Sequence, residues 1–281
     1  MMKVFEHINQ LQQAINAEKL KGKSIGFVPT MGALHAGHLE LMRQARKETA
    51  ILVVSIFVNP IQFNNPADLE NYPRTLESDK KMLETVSCDF LFVPTEQEMY
   101  PKPDKTVFHF GKLATAMEGA FRPGHFYGVG VVVSKLFNIV MPDKAFFGEK
   151  DFQQLAIIKA MVKQLKINVE VVACPTVREP DGLAMSSRNR RLSTEERALA
   201  PQIYQVLKKA AQLRNVLSPD EMQQYASKQL KAIEAFDLEY VSVADDIELQ
   251  SFEHWNDIDG ARIFVALQLG NVRLIDNVRI F

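Results

Sequence analysis

The chain has 281 residues, 47% of them hydrophobic, and its 33 basic residues almost balance its 34 acidic ones. That balance disfavours broad electrostatic docking on DNA or RNA, so we expect no nucleic-acid partner. Two cysteines are too few for a disulfide framework, and the N-terminus is polar rather than signal-like, so the sequence predicts a cytoplasmic protein. The longest apolar run, near residues 50–58, is far shorter than the roughly 20 residues of a membrane span, so no membrane partner is expected.

The first elements are predicted to be a helix, a strand and a second helix. Apolar side chains recur at helical spacing between residues 4 and 20, which indicates a helix packed on a sheet. The short apolar run 24–28 is typical of a buried strand, and a helix is predicted from residue 38 to about residue 49. A glycine-bearing turn joins these two elements. Such a turn offers free backbone N–H groups and the positive end of a helix dipole, which suit a phosphate.

This turn, residues 29–38 (PTMGALHAGH), carries the first candidate site. Gly32 and Gly37 allow the backbone to approach a ligand closely. His35 and His38 are three residues apart where the helix begins, so both can face that ligand. Each imidazole can donate to a phosphate oxygen without a permanent buried charge. A chance surface pair or half of a zinc site are the alternatives, and zinc is disfavoured because it usually takes three or four ligands.

The run 50–58 is apolar on both faces, which is typical of a central parallel strand. Ligands bind beyond the carboxyl ends of such strands, so Asn59 and Gln62 lie where we expect a substrate. The polar stretch 64–73 is predicted to be a loop, either a lid or a solvated connector. A helix near 76–85 and a strand at 89–94 follow.

A further helix is predicted at 130–140, and a strand beginning at Lys144 ends in a second group of polar residues, Gly148 to Asp151. Lys150 can neutralise phosphate charge as it develops. Asp151 can cap the following helix, or reach a ribose hydroxyl or Lys150. Gln154 lies one helical turn further on and points the same way.

Two arginine-bearing segments each allow two roles. Arg122 can hold a carboxylate or phosphate bidentately, and it can equally be structural. After a strand at 169–177, residues 185–188 (MSSR) present two hydroxyls and a guanidinium, which suit a leaving pyrophosphate. Taken alone, the basic run Arg188, Arg190 and Arg191 is more typical of a solvated face.

The last third is predicted to be a small α+β unit. A capping box at Ser193 begins a series of helices that reaches about residue 236. Three stretches of period two follow, and Gly270-Asn271 joins the last two as a hairpin.

Residues 30–38 resemble the nucleotide-binding signature of the HxGH nucleotidylyltransferases, relatives of the class I aminoacyl-tRNA synthetases. With Pro29 leading in, the stretch is similar to the pantothenate synthetase (pantoate–β-alanine ligase) family in particular. Residues 185–188 resemble the second signature of this superfamily, with an arginine in place of the lysine of the synthetase loop. The likeness is sharpest at 29–38, 58–63, 146–154 and 185–192, and the C-terminal third matches in outline only.

The resemblance implies an α/β fold: a Rossmann-like parallel sheet with helices on both faces, followed by a smaller α+β C-terminal domain that covers the active site. We place the ATP- and pantoate-binding domain at 1–180 and the C-terminal domain at 181–281. The implied reaction is ATP-dependent condensation of pantoate with β-alanine through an enzyme-bound pantoyl adenylate, which releases pyrophosphate and AMP. The small-molecule partners are then ATP, pantoate and β-alanine, with Mg²⁺ carried mostly by the phosphate oxygens of ATP. A cytoplasmic homodimer is the implied assembly.

The resemblance assigns Gln62 and Gln154 to pantoate, and we add Asn59 to this substrate group. In the family the second histidine is the general acid, whereas charge arguments alone make His38 a phosphate donor, and this choice stays open. No protein ligand to a metal is predicted. Two alternative functions are a nucleotidylyltransferase whose product keeps the nucleotide, and a non-catalytic nucleotide-binding protein. The predicted catalytic residues are His35, His38, Lys150, Ser186, Ser187 and Arg188. The predicted ATP-binding residues are Met31, Gly32, Ala33, Leu34, His35, Ala36, Gly37, His38, Gly148, Glu149, Lys150, Asp151, Val177, Met185, Ser186, Ser187 and Arg188.

Overall fold

A computed structural model describes residues 2–64 and 66–281 of the chain. Its elements form a parallel sheet of six strands and an antiparallel sheet of three strands, with helices packed on each. Among the described residues, none of the helices combines the length and apolar character that a membrane crossing requires. In chain order the elements are β1 (Lys3–Phe5), α1 (Ile8–Lys19), β2 (Ile25–Thr30), α2 (Ala36–Glu48), β3 (Ile51–Ile56), α3 (Pro66–Glu70), α4 (Leu76–Thr85), β4 (Phe90–Phe92), α5 (Glu96–Met99), α6 (Glu118–Phe121), α7 (His125–Val140), β5 (Lys144–Gly148), α8 (Phe152–Leu165), β6 (Glu170–Cys174), α9 (Thr194–Leu199), α10 (Gln202–Gln212), α11 (Pro219–Lys231), β7 (Phe236–Asp245), β8 (Ala261–Leu269) and β9 (Val272–Arg279).

The six-stranded sheet is covered by helices on both faces, as predicted. Successive side chains of a strand point to opposite faces, and here they join different cores. Phe27 and Val53 pack with α1, α7 and α8, whereas Val28 and Val54 pack with α2 and α4. Both faces of the central strands are therefore apolar, which explains the uninterrupted hydrophobic runs of β2 and β3.

The strand order β1-β4-β3-β2-β5-β6 creates a crevice at the centre of the sheet. From β2 the chain moves outward through β3 to β4, and it then crosses to the other side of β2 to form β5 and β6. The connections that follow β2 and β5 consequently diverge. Ligands of open parallel sheets bind at such a point, outside the carboxyl ends of the strands.

The three-stranded sheet, in the order β7-β8-β9, packs against α10 and α11 around a separate apolar core. The predicted hairpin is present, because Leu269 pairs with Val272 across Gly270-Asn271. The predicted fold class, a parallel α/β sheet followed by a smaller α+β unit, is confirmed. The division at residue 180 stays a prediction, although the two sheets lie on opposite sides of it in the chain.

Three local predictions were wrong. Residues 3–5 form β1 rather than the start of a helix, because Lys3–Phe5 pairs with Phe90–Phe92 at the edge of the sheet, a long-range contact that local spacing does not signal. The predicted loop 64–73 contains the short helix α3, although Asn65 lies outside the described residues. Helix α7 begins at His125, five residues before the predicted start.

Candidate active site

A cavity of about 240 Å³ opens at the carboxyl ends of β2, β3 and β5. Residues of both predicted signatures and both predicted glutamines line it. Among them, Met31 and Arg188 are 157 positions apart in the chain. The predicted site residues that line this cavity are Met31, His35, Gly37, His38, Asn59, Gln62, Gly148, Lys150, Asp151, Gln154, Val177, Met185, Ser186, Ser187 and Arg188.

The other predicted ATP-binding residues do not line the cavity. Gly32, Ala33 and Leu34 form the buried turn behind it, and Ala36 begins α2 with its side chain exposed. The Glu149 carboxylate lies 3.1 Å from an Arg262 guanidinium nitrogen. The contribution of Gly32, Ala33, Leu34, Ala36 and Glu149 to nucleotide binding stays a prediction.

The backbone orients the two imidazoles of the nucleotide turn. Nδ1 of His35 accepts from the Gly37 N–H at 3.2 Å, and Nδ1 of His38 accepts from the His35 N–H at 3.3 Å. A neutral imidazole whose Nδ1 accepts carries its proton on Nε2. Each ring therefore has an Nε2–H donor, and the two rings lie 4.0 Å apart between centroids beside the cavity.

Both rings are uncharged at neutral pH. Burial lowers the pKa of His38 to about 3, and the adjacent His35 and Lys150 act in the same direction. Burial also lowers the pKa of His35 to about 4, reinforced by Lys150 and Arg190. An efficient general acid needs a pKa near the working pH. These values favour neutral hydrogen-bond donors over acids.

A buried carboxylate that the sequence analysis missed supports this turn. Gly32 and Ala33 both have positive φ, 82° and 51°. Asp79, on α4, accepts the backbone N–H groups of Ala33 at 3.0 Å and Leu34 at 2.9 Å, and its side chain is 1% exposed. A signal was present in the sequence, since Asp79 occupies the same helical face as the apolar residues of α4.

The amide of Gln62 is held in one orientation. The Asn59 Nδ2 group donates both to the Gly128 carbonyl and to Gln62 Oε1, at 3.1 Å each. Because a carbonyl can only accept, this bond identifies the nitrogen of Asn59, and the Tyr100 hydroxyl donates to its oxygen at 2.7 Å. Gln62 therefore presents its Nε2 as a donor at the cavity, where it donates to the Met31 sulfur at 3.1 Å.

Lys150 and Asp151 follow β5 on a short 3₁₀ turn, and Gln154 follows on α8. All three line the cavity, as their spacing predicted. The capping role suggested for Asp151 was wrong, because its side chain makes no cap hydrogen bond to the helix. Its carboxylate instead lies 3.7 Å from Lys150 Nζ. Desolvation opposes ionisation of Asp151, but Lys150 and Arg188 hold the pKa of this carboxyl below its usual range.

The three arginines at 188, 190 and 191 have different partners. Residues 187–191 form a 3₁₀ turn, in which side chains three apart share a face, so long-range contacts separate Arg188 from Arg191. Arg188 lines the cavity and lies 3.4 Å from Asp68 of α3. Arg190 donates to the Leu34 carbonyl and Arg191 to the Asn271 carbonyl. Only the predicted Arg188 therefore faces the site among these three.

Arg122 lies beside a smaller adjoining space that Lys150, Asp151 and Gln154 also line. Its Nη1 lies 3.2 Å from Nε2 of the buried His125, whose Nδ1 in turn bonds the Gln62 carbonyl at 2.9 Å. Arg122 thus connects indirectly to the Gln62 segment. The sequence left its role open, and this contact gives it a structural one.

Comparison with known proteins agrees with the geometry. Residues 3–279 match the family model described as pantoate-beta-alanine ligase. A pantothenate synthetase of Phocaeicola vulgatus is 50% identical over 279 residues, and one of Porphyromonas gingivalis is 48% identical over 278, with 99% of each chain covered in both cases.

Solved structures give the same result. The pantothenate synthetase of Thermus thermophilus superposes with a TM-score of 0.93 at 42% identity, with all of both chains covered. A pantoate-beta-alanine ligase of Francisella tularensis, complexed with beta-gamma ATP and beta-alanine, has a TM-score of 0.83 at 37% identity, with 100% of this chain and 98% of that chain covered. These full-length matches argue against both alternative functions, a different nucleotidylyltransferase and a non-catalytic nucleotide-binding protein. The chain belongs to the pantoate–β-alanine ligase family, and it is accordingly a carbon–nitrogen ligase.

Proposed function

We propose that the chain makes pantothenate in two steps within the one cavity. First, an oxygen of the pantoate carboxylate attacks the α-phosphorus of ATP, the bond to the bridging oxygen breaks, and pyrophosphate leaves. Second, the β-alanine nitrogen attacks the carbonyl carbon of the pantoyl adenylate, the amide forms, the nitrogen loses a proton, and AMP leaves. The observation that carries this proposal is the convergence of both nucleotide signatures with two neutral glutamines on one cavity.

The phosphate side of the cavity supplies positioning and charge. His35 and His38 donate through Nε2–H while neutral, so they stabilise phosphate oxygens without repelling the nearby Lys150. Lys150 and Arg188 neutralise charge that develops on the leaving pyrophosphate, and the Ser186 and Ser187 hydroxyls donate beside them. Phosphoryl chemistry of this kind depends mainly on positioning and electrostatics, so no covalent protein nucleophile is needed.

The glutamine side suits a small hydroxy acid. Gln62 presents a donor, because Asn59 occupies its oxygen. Gln154 lines the same space one helical turn beyond Lys150. Neutral amides can bind a hydroxyl or carboxylate and leave the carboxylate nucleophilic, since they add no positive charge beside it.

Mg²⁺ is proposed as the companion of ATP. Among the described residues, no group of three or more histidine, cysteine, aspartate or glutamate side chains is arranged to hold a metal. Asp151 is the acidic side chain that lines the cavity within that part of the chain. A site with one carboxylate fits Mg²⁺, which is commonly held by one or two carboxylates, substrate phosphates and water. When bound, the ion would neutralise phosphate charge, with Asp151 as its protein partner.

The test of the reaction is pyrophosphate release with ATP, Mg²⁺ and pantoate, measured with and without β-alanine. We expect a bound adenylate without the amine, and turnover to AMP and an amide with it. Release with another acid but not with pantoate would overturn the named substrate and keep the reaction class. No release with any acid would overturn the proposed activity.

We also propose that the chain is a cytoplasmic homodimer, as members of this family typically are. The support is the family resemblance together with the two unpaired cysteines, both of which are buried. Sedimentation equilibrium of the purified protein tests the assembly. A single species at the mass of one 31.8 kDa chain would contradict it.

A further inference from the structure

The turn that carries Lys150 is held from the other side by the second sheet. Within residues 2–64 and 66–281, strand β9 pairs with β8 alone and is an edge strand. Its residue Asn277 is 3% exposed. The Asn277 side-chain nitrogen donates to the Glu149 carbonyl at 2.9 Å and to the Lys150 carbonyl at 3.0 Å. A residue near the C-terminus thus bonds directly to the backbone of the predicted catalytic lysine.

The orientation of the Asn277 amide is unambiguous. Its two acceptors are backbone carbonyls, which cannot donate, and its oxygen accepts from Arg262 Nη1 at 2.9 Å, a group that cannot accept. Exchanging the amide nitrogen and oxygen would break all three bonds. The side chain therefore has one stable arrangement.

Arg262 is itself held in place by its neighbours. It is 5% exposed, its Nη2 lies 3.1 Å from Glu149 Oε2, and its guanidinium stacks 3.9 Å above the Phe152 ring. The Lys150 turn is therefore enclosed by contacts at Glu149 before it and at Phe152 after it. Arg262 and Asn277 of the second sheet supply these contacts, together with the bond to the Lys150 carbonyl itself.

These contacts matter for the chemistry, because Lys150 needs a defined position. It lies two residues after β5 ends at Gly148, on a short 3₁₀ turn that lacks the regular hydrogen bonding of a long helix. Catalytic groups need to be held within about 0.5 Å of their working position. A shift of about 1 Å can cost about 100-fold in rate.

We propose that Asn277 is a positioning residue for Lys150, and that the C-terminal sheet acts in adenylate formation through this side chain. The inference rests on the proposed function, because it gives Lys150 its role at the phosphates. It places part of the catalytic geometry in the C-terminal sheet, residues 236–279, where neither signature lies.

The test is a double-mutant cycle on the first half-reaction. We expect Asn277→Ala to lower the single-turnover rate of pyrophosphate release from ATP and pantoate by about 10- to 100-fold. In a Lys150→Ala background, the same change should lower the rate by less than about threefold, because no lysine remains to be positioned. In a Gln62→Ala background, its full effect should persist, since Gln62 follows a different strand.

Asn271→Ala is the matched control, since it makes the same substitution in the exposed β8–β9 turn, and it should keep the wild-type rate. Should Asn277→Ala fail to fold, Asn277→Ser replaces it. A serine is uncharged and its single O–H cannot donate to both carbonyls at once, so it should fold and show a loss in the wild-type background that is absent from the Lys150→Ala background. A loss of equal factor in the wild-type and Lys150→Ala backgrounds, or no loss at all, would overturn the positioning role. Absence of release by the wild-type protein would instead overturn the proposed function.

Discussion

Substitution of His38 tests the role of the nucleotide turn in adenylate formation. Its ring is oriented by the His35 N–H, and its Nε2–H remains available to a phosphate. We expect His38→Ala to lower the rate of adenylate formation by about 10²–10³-fold, the range found for removing one oxyanion donor. The measurement is pyrophosphate release in the presence of ATP and pantoate. His109→Ala, at an exposed position, is the control, and a loss below about tenfold for His38→Ala would refute the assigned role.

The depressed histidine pKa values predict how stability depends on pH. An unfolded histidine takes up a proton near its ordinary pKa of about 6.5, whereas burial lowers the pKa values of His35 and His125 to about 4 and that of His38 to about 3. The unfolded chain therefore binds more protons than the folded chain between these limits. The stabilisation is complete above about pH 6.5 and is lost as the pH falls toward the folded-state values.

Urea unfolding at about pH 7 and about pH 5 measures this effect. We expect the free energy of unfolding to be smaller at the lower pH, and His38→Gln to reduce that difference because glutamine does not titrate. An unchanged difference in the variant would mean that His38 is not kept neutral by the fold.

At the scale of an element, α4 acts as a support for the nucleotide turn. Asp79 uses two oxygens to accept the N–H groups of Ala33 and Leu34, and an asparagine has only one. Asp79→Asn should therefore leave one buried N–H without its acceptor, at a cost of about 1–3 kcal/mol in the free energy of unfolding. We also expect weaker ATP binding, because the turn loses one of its two anchors.

Calorimetric titration with ATP and urea unfolding would measure the two effects of Asp79→Asn. Glu77→Gln provides the matched change on the same helix, at a carboxylate that is 81% exposed. Wild-type affinity and stability in Asp79→Asn would show that the turn keeps its shape without α4.

At the scale of the whole molecule, an ion pair joins the three-stranded sheet to helix α6. Arg273 of β9 makes a bidentate pair with Glu118 of α6, at 2.7 Å for each bond, and it also binds Glu239 of β7. Arg273→Met would leave the buried Glu118 and the partly buried Glu239 near each other without their shared cation. Breaking a buried pair in this way should cost about 3–5 kcal/mol in the free energy of unfolding.

The matched control for this prediction is Arg279→Met, at an exposed position on the same strand. Urea unfolding of the two variants gives the comparison directly. An equal loss in both would mean that the Glu118 pair adds nothing beyond ordinary surface electrostatics, which is worth about 0–1 kcal/mol.

Much of this protein could be predicted from its sequence, because the relevant signals are local. Continuous apolar runs marked β2 and β3, and the helix predicted near 76–85 has the bounds observed for α4. The signatures at 29–38 and 185–188 each consist of adjacent residues whose chemistry suits a phosphate. The functional side chains of each signature are close in the chain, so the pattern can be recognised without knowledge of the fold.

Tertiary structure decided how these segments act together. Asp79, Tyr100 and Asn277 contact the site from segments far away in the chain. The apolar face of α4 marks Asp79 as buried, but no adjacent pattern in the sequence identifies the partners of these three residues. Arg190 and Arg191 are drawn to the distant Leu34 and Asn271 carbonyls, which leaves Arg188 facing the site, and the neutral state of the histidines depends on burial. Composition and spacing therefore determined which chemical groups are present, whereas long-range packing determined which of them face the cavity and which are charged.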